Sequence, residues 1–258
     1  TSKHLAEQVK AIDSSCTTPL YPNSIYIFGD FSIINRQGRN ITYLLSPKVK
    51  QLFLYILLTE MDNGKGVTSQ EIHQAIWADK TPDNAKNLRG VALNQIRKLL
   101  MEMDGAELIY QNNYFTITLN DDIYFDFRNF MSLLDEELQS KDTLLKLSDI
   151  VMNGCFLQGF DFQGTTPMKS LFSKKIYNFL MPELIHYYRQ QDYLSTIRLA
   201  KILNYCNEKD EDAFHYEIEA LLKCNLTDEA LKRYNAYLST RDESISTFPF
   251  SFVEYIDN

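Results

Sequence analysis

Residues 82–103 read Pro-Asp-Asn-Ala-Lys-Asn-Leu-Arg-Gly-Val-Ala-Leu-Asn-Gln-Ile-Arg-Lys-Leu-Leu-Met-Glu-Met, and their spacing predicts one long two-faced helix. With Ala92 at zero and roughly 100° per residue, Leu88, Ala92, Ile96, Leu99 and Met103 fall within about 40° of one line, with Leu93 and Leu100 beside it. Lys86, Asn87, Gly90, Asn94, Arg97 and Lys98 fall on the far side. That far face carries cations and amides and almost no acid. Arg and Lys suit phosphates or guanine, and Asn and Gln suit adenine. A helix of this span is about 33 Å long, enough to lie in a groove. Gly90 on the exposed face costs about 1 kcal/mol of helix propensity relative to Ala, a cost that close backbone approach to DNA would offset. The same face also fits an ordinary solvated helix surface, so its surroundings decide.

Upstream, Ile25–Ile34 alternates around aromatic and β-branched residues, a strand pattern interrupted at Gly29-Asp30. Asn35–Asn40 reads as a turn and Ile41–Leu44 as a return strand. Ser46 followed by Pro47 opens a helix with Val49, Leu52, Phe53, Ile56 and Leu57 on one stripe, and Asp62-Asn63-Gly64-Lys65-Gly66 ends it. Thr68-Ser69-Gln70-Glu71 has the form of a capping box and begins a short second helix. Thr81-Pro82 starts the third. Glu107–Tyr110 and Tyr114–Leu119 are strands joined by a tight hairpin at Gln111-Asn112-Asn113. The order is therefore strands, three helices and a hairpin, closing at Asn120-Asp121-Asp122.

Beyond that point the pattern is almost wholly helical. Phe127–Leu138 and Thr143–Met152 precede a glycine-containing loop, Asn153–Phe160. Lys169–Gln190, Tyr193–Tyr205, Asp210–Leu222 and Thr227–Leu238 follow with short connections, which make antiparallel neighbours. Consecutive pairs about 34 residues apart indicate helix-hairpin repeats. Ala200, Ala220 and Ala230 stand where close helix approach needs small residues.

The 258 residues suffice for two ordinary domains, and 45% hydrophobic content allows two cores. The net charge of −8 is unevenly spread. Residues 24–119 hold 10 Lys+Arg against 9 Asp+Glu, whereas residues 120–258 hold 14 against 23. Cys16, Cys155, Cys206 and Cys224 form no Cys-x-x-Cys pair, and no histidine lies at zinc-ligand spacing from them. Cys206 and Cys224 read as buried small hydrophobes, and a reducing, cytoplasmic compartment fits. Trp77 reads as core. No run reaches the length of a membrane span, and Thr1-Ser2-Lys3-His4 opens a polar stretch unlike a secretion signal. A sensor domain or membrane segment before Thr1 is compatible with this start. The four histidines are scattered, and neither a phosphate-cradling Gly-Lys-Ser/Thr loop nor a dinucleotide glycine pattern occurs. The expectation is a chain that is not an enzyme and takes no cofactor or metal.

Three segments carry a resemblance: Ile-Phe-Gly-Asp-Phe-Ser-Ile (27–33), Leu-Ser-Pro-Lys-Val-Lys-Gln-Leu-Phe (45–53) and Leu-Arg-Gly-Val-Ala-Leu-Asn-Gln-Ile-Arg-Lys-Leu-Leu (88–100). Together they resemble the OmpR/PhoB-type winged-helix DNA-binding domain, in the version used by antibiotic-regulatory-protein (SARP-like) transcription regulators. Asp126 onward, with Asn153-Gly-Cys-Phe-Leu-Gln-Gly-Phe160 and the later helical hairpins, is similar to the bacterial transcriptional activation domain, a tetratricopeptide-like bundle that follows the winged helix in that family. Residues 1–24 read as an N-terminal helix and linker, and the fold class the resemblance implies beyond them is mixed: an α+β winged helix-turn-helix domain over 25–120 and an all-α tetratricopeptide-like domain over 121–258.

The resemblance implies a cytoplasmic bacterial regulator of signal transduction and transcription, or the output region of a larger one. Its third helix would enter the major groove of double-stranded DNA, with the hairpin wing beside it. The positions carried over are Arg89, Asn94, Gln95 and Arg97. Relatives usually show Arg or Lys where Gln95 stands, and Asn112 at the wing tip matches by position only. The helix face adds Lys86, Asn87 and Lys98, and Lys48, Thr68 and Ser69 are placed to position phosphates. The helical domain would form a homodimer or contact RNA polymerase or other transcription machinery, without membrane contact. The alternative is a protein–protein interaction module whose winged helix no longer binds DNA.

Overall fold

The computed structural model describes residues 7–9, 21–134, 140–160, 165–207, 210–239 and 252. Contacts gather the chain into two compact units, one of residues 18–129 and 157–172 and one of residues 1–17, 130–156 and 173–258. The first is mixed α+β and the second helical. The first unit runs past the boundary read at Asn120–Asp122 and also takes in part of the glycine-containing loop. The described part of the stretch read as an N-terminal helix, residues 7–9, is helical; the rest of that stretch, and the linker up to residue 20, lie outside the described residues, and Ser24 at its end already belongs to a strand.

In the first unit, β1 (Ser24–Tyr26) pairs antiparallel with β2 (Ser32–Ile34). The segment Ile41–Leu44, read as a return strand, is instead a 3-10 turn over Thr42–Leu44, with only an isolated bridge between Ile34 and Asn40. Side-chain bonds explain the difference. The Thr42 hydroxyl accepts the Ile33 N–H at 2.7 Å and Asn40 Oδ1 accepts the Thr42 N–H at 3.0 Å, so local bonds replace ladder bonds.

Three helices follow: α1 (Pro47–Asn63), α2 (Ser69–Ile76) and α3 (Pro82–Leu100). Pro47 and Pro82 occupy first-turn positions where a missing N–H costs nothing, although neither the Ser46 nor the Thr81 side chain makes a capping bond. The capping box at α2 is present in full: Thr68 Oγ1 accepts the Glu71 N–H at 3.2 Å while Glu71 Oε2 accepts the Thr68 N–H at 2.7 Å. Gly64 ends α1 in the left-handed conformation.

A second sheet has the order β3 (Val67–Thr68), β5 (Tyr114–Leu119), β4 (Ala106–Gln111). The two-residue turn Asn112-Asn113 has φ of 51° and 69°, as a right-twisted hairpin requires. Gly66 precedes β3 at φ +79°, and a Cβ there would lie 2.2 Å from the Phe115 carbonyl oxygen, so only glycine lets β3 approach β5. Val49, Leu52, Phe53 and Ile56 of α1, Ile72 of α2 and Ile96 of α3 are buried in this unit, as is Trp77.

After the hairpin, β6 (Tyr124–Phe125) pairs in parallel with β1. Asp126 then begins α4 (Asp126–Leu134) with its carboxylate fully buried. Asp126 Oδ2 accepts the N–H groups of Ile27 and Phe28 at 2.9 and 3.0 Å, and Oδ1 accepts those of Ile27 and Phe127 at 3.1 and 2.6 Å. Burial pushes this carboxyl up to about 7, against the downward pull of the backbone donors. The later segment 157–172 joins the unit through the Leu157 N–H, which donates to the Ile27 carbonyl at 2.9 Å, and through edge contacts of Phe160 with Phe31 and Phe172 with Phe127.

In the second unit lie α5 (Lys141–Val151), the greater part of α6 (Thr165–Arg189), α7 (Tyr193–Cys206), α8 (Glu211–Lys223) and α9 (Thr227–Ser239). Residues 135–139, the end of the helix read over Phe127–Leu138, lie outside the described residues. α8 packs on both α7 and α9, and the short links make consecutive helices run back along each other. Ala200, Ala220 and Ala230 are fully buried, and the Tyr237 ring stacks on Phe214 with centroids 3.8 Å apart. Cys206 and Cys224 are buried free thiols whose pKa burial pushes up.

Candidate nucleic-acid interface

α3 is shorter than its sequence period indicated. The chain leaves the helix after Leu100, because the Glu102 and Met103 N–H groups bond three residues back and Gly105 turns at φ +84°. The 19 residues of α3 span about 28 Å. Ala85, Ala92, Leu93, Ile96, Leu99 and Leu100 are buried along it, and Met103 remains buried just beyond. Leu88, placed by its angle on the apolar line, is 41% exposed, whereas Ala85 in the turn before it is buried.

The far face is open. Lys86, Asn87, Gly90, Asn94, Gln95 and Lys98 are exposed and Arg97 is half-buried. Arg97 Nη1 donates to Asn94 Oδ1 at 3.3 Å, which sets the two side chains side by side. Asp83 is the one acidic residue of α3, in its first turn. Among the described residues, none of Lys86, Arg89, Arg97 and Lys98 has a carboxylate partner within ion-pair distance. The face is therefore cationic without internal compensation, which favours an external anion. Val91, 60% exposed, is an apolar position on this helix that periodicity does not single out; the available signal is its β-branched side chain one turn from Asn87, Asn94 and Gln95.

Arg89 is differently placed. Its Nη1 donates to the Ser69 carbonyl at 3.3 Å, and its guanidinium lies 6.0 Å from the centre of the Phe115 ring. It thereby ties α3 to the start of α2 and to β5. Lys48 is exposed, with its Nζ donating to the Ile76 carbonyl at 3.0 Å, at the C-terminal end of α2, where a cation complements the helix dipole. Thr68 is committed to the capping box, and Ser69 offers its carbonyl to Arg89. Asn112 is exposed at the hairpin tip, and Tyr110 below it packs on Phe115 with ring centroids 4.5 Å apart. The structure thus brings the third helix, the start of the second and the hairpin together through Arg89. Lys86, Asn87, Asn94, Gln95 and Lys98 remain open to solvent, with Arg97 half-buried beside Asn94.

The fold has a solved counterpart. Mycobacterium tuberculosis EmbR, in complex with a low-affinity phosphopeptide, matches with a TM-score of 0.55 at 14% identity, over 91% of this chain and 63% of that one. At 14% identity the likeness is one of fold. The chain spans less than two thirds of the EmbR chain. No family model and no curated protein matches the sequence. Among the described residues, no group of three or more His, Cys, Asp or Glu is placed to hold a metal, and no helix is long and apolar enough to cross a membrane.

Proposed function

We propose that the chain is a DNA-binding transcription regulator of SARP type, cytoplasmic and without catalytic activity or cofactor. Its first unit is read as a winged helix-turn-helix and its second as a tetratricopeptide-like bundle. The observation that carries this reading is the solvent-facing side of α3, whose uncompensated cations flank Asn94 and Arg97. In the major groove, Arg97 would meet guanine, Asn94 adenine and Val91 a thymine methyl group. Lys86 and Lys98 would contact phosphates, and Asn112 would reach the backbone beside the groove. Arg89 and Lys48 position the elements rather than touch DNA. The EmbR-like fold supports the assignment to transcription. The acidic second half would repel DNA and so confine contact to α3 and the hairpin, while its stacked helices offer a surface for a second copy or for the transcription machinery.

Gly90 supplies a test in which stability and binding move in opposite directions. A Cβ at Gly90 meets nothing within 4 Å, so alanine is accommodated freely. Gly90→Ala should therefore raise stability by about 1 kcal/mol while weakening duplex binding, because the added methyl stands where the phosphate backbone approaches. Urea denaturation and fluorescence anisotropy with labelled duplex measure the two effects. Raised stability with unchanged affinity would remove α3 from the interface and favour the protein-interaction module.

A further inference from the structure

Within the helical unit, α7, α8 and α9 line a cavity of about 560 Å³. Its volume is in the range of sites that enclose a small organic molecule. Glu217 of α8 forms part of its wall, yet the residue is 0% exposed. One carboxylate oxygen, Oε2, accepts from Asn204 Nδ2 at 2.9 Å and from Arg233 Nε at 3.0 Å. The other, Oε1, has no hydrogen-bond partner among the described residues, and neither has Oδ1 of Asn204, which is 7% exposed. A buried acceptor left unmade costs about 1–3 kcal/mol, and more when charged. Two such acceptors in one hydrogen-bonded cluster on the wall of a cavity call for a donor from outside the chain.

We propose that this cavity is a binding site for a small organic cation, with an amidinium, guanidinium or ammonium head on an apolar body. Both oxygens have under 1 Å² of accessible surface, so the head reaches Glu217 Oε1 and Asn204 Oδ1 by a small rotation of these side chains, supplying N–H groups to acceptors that have none. A charged donor suits Glu217 best, because a charge-assisted bond is about twice as strong as a neutral one. The apolar body lies against Leu221, Ala236 and Tyr237. The two lysines and two further carboxylates on the walls balance each other, so the specificity comes from the Glu217–Asn204 cluster. Arg233 is held in place on Glu217, with its guanidinium 5.7 Å from the centre of the Phe214 ring, and is not free to fill the cavity itself.

Benzamidine is the probe and benzoate, its anionic counterpart of similar shape, the control. Isothermal titration of the full chain should show saturable binding of benzamidine and at least ten-fold weaker binding of benzoate. Glu217→Gln should weaken benzamidine at least ten-fold. Ala236→Phe places a ring into the cavity from an exposed helical position and should abolish binding while the helical circular-dichroism signal stays intact. It therefore carries the test if Glu217→Gln fails to fold. Absence of saturable benzamidine binding to the wild-type chain, equal affinity for benzoate, or full binding by the Ala236→Phe protein would overturn the proposal.

Discussion

Alanine in place of Asp126 is expected to bring the α+β unit close to unfolding. The Asp126 carboxylate is the acceptor for the Ile27, Phe28 and Phe127 N–H groups inside a fully buried site. Removing it strands three donors at about 1–3 kcal/mol each, a total on the order of 3–9 kcal/mol. Domains are typically stable by only about 5–15 kcal/mol. Trp77, the single tryptophan, is buried in the same unit and reports its unfolding by fluorescence. A urea midpoint within experimental error of wild type would contradict the role given to Asp126.

The same carboxyl carries a pH signature. Its pKa is raised from 3.8 to about 7 in the folded chain. Between those values the native state binds a proton that the unfolded state has released, so stability falls as pH rises through about 4 to 7. The contribution is on the order of 4 kcal/mol across that window. Asp126→Asn keeps one oxygen acceptor and abolishes the titration. Its stability should lose this downward component, and the difference from wild type should follow the Asp126 titration. An unchanged slope in the variant would assign the dependence to another group.

Asn94→Ala and Arg97→Ala are each expected to weaken binding to a duplex selected from genomic fragments by about 5- to 150-fold, the equivalent of about 1–3 kcal/mol for a lost bidentate base contact. Because Arg97 donates to Asn94 Oδ1, the two side chains share a partner and their effects should be less than additive. Each loss should be concentrated at one base position, since base contacts specify and phosphate contacts position. Lys86→Ala and Lys98→Ala should instead weaken binding evenly over sequences. Wild-type affinity in both the Asn94 and Arg97 variants would exclude the α3 face as the reader of sequence.

α3 was legible because its 19 residues make about five turns, enough for the angular pattern to separate two faces. β3 and β6 each hold two residues, too few for alternation to register. Ile41–Leu44 has strand-like residue types, but the Thr42 and Asn40 side chains compete locally for the backbone, a contest that composition does not decide. The site divides in the same way. Lys86, Asn94 and Lys98 follow from their angle on one helix. Arg89 and Lys48 owe their orientation to carbonyls 20 and 28 residues away in sequence. Asp126 binds backbone groups 98 and 99 residues upstream, and its only local signal is an aspartate directly after the short apolar run Ile123-Tyr124-Phe125. Glu217 and Asn204 belong to different helices, and their meeting depends on how those helices pack.

The salt dependence of affinity for a random-sequence duplex tests the central claim most directly, since it needs no knowledge of the operator. Lys86 and Lys98, the phosphate contacts of the α3 face, predict a slope of log affinity against log salt of about −2 per bound chain, and a steeper one if two copies bind together. A slope near zero, or no duplex binding at low salt, would contradict the assignment of this chain to DNA.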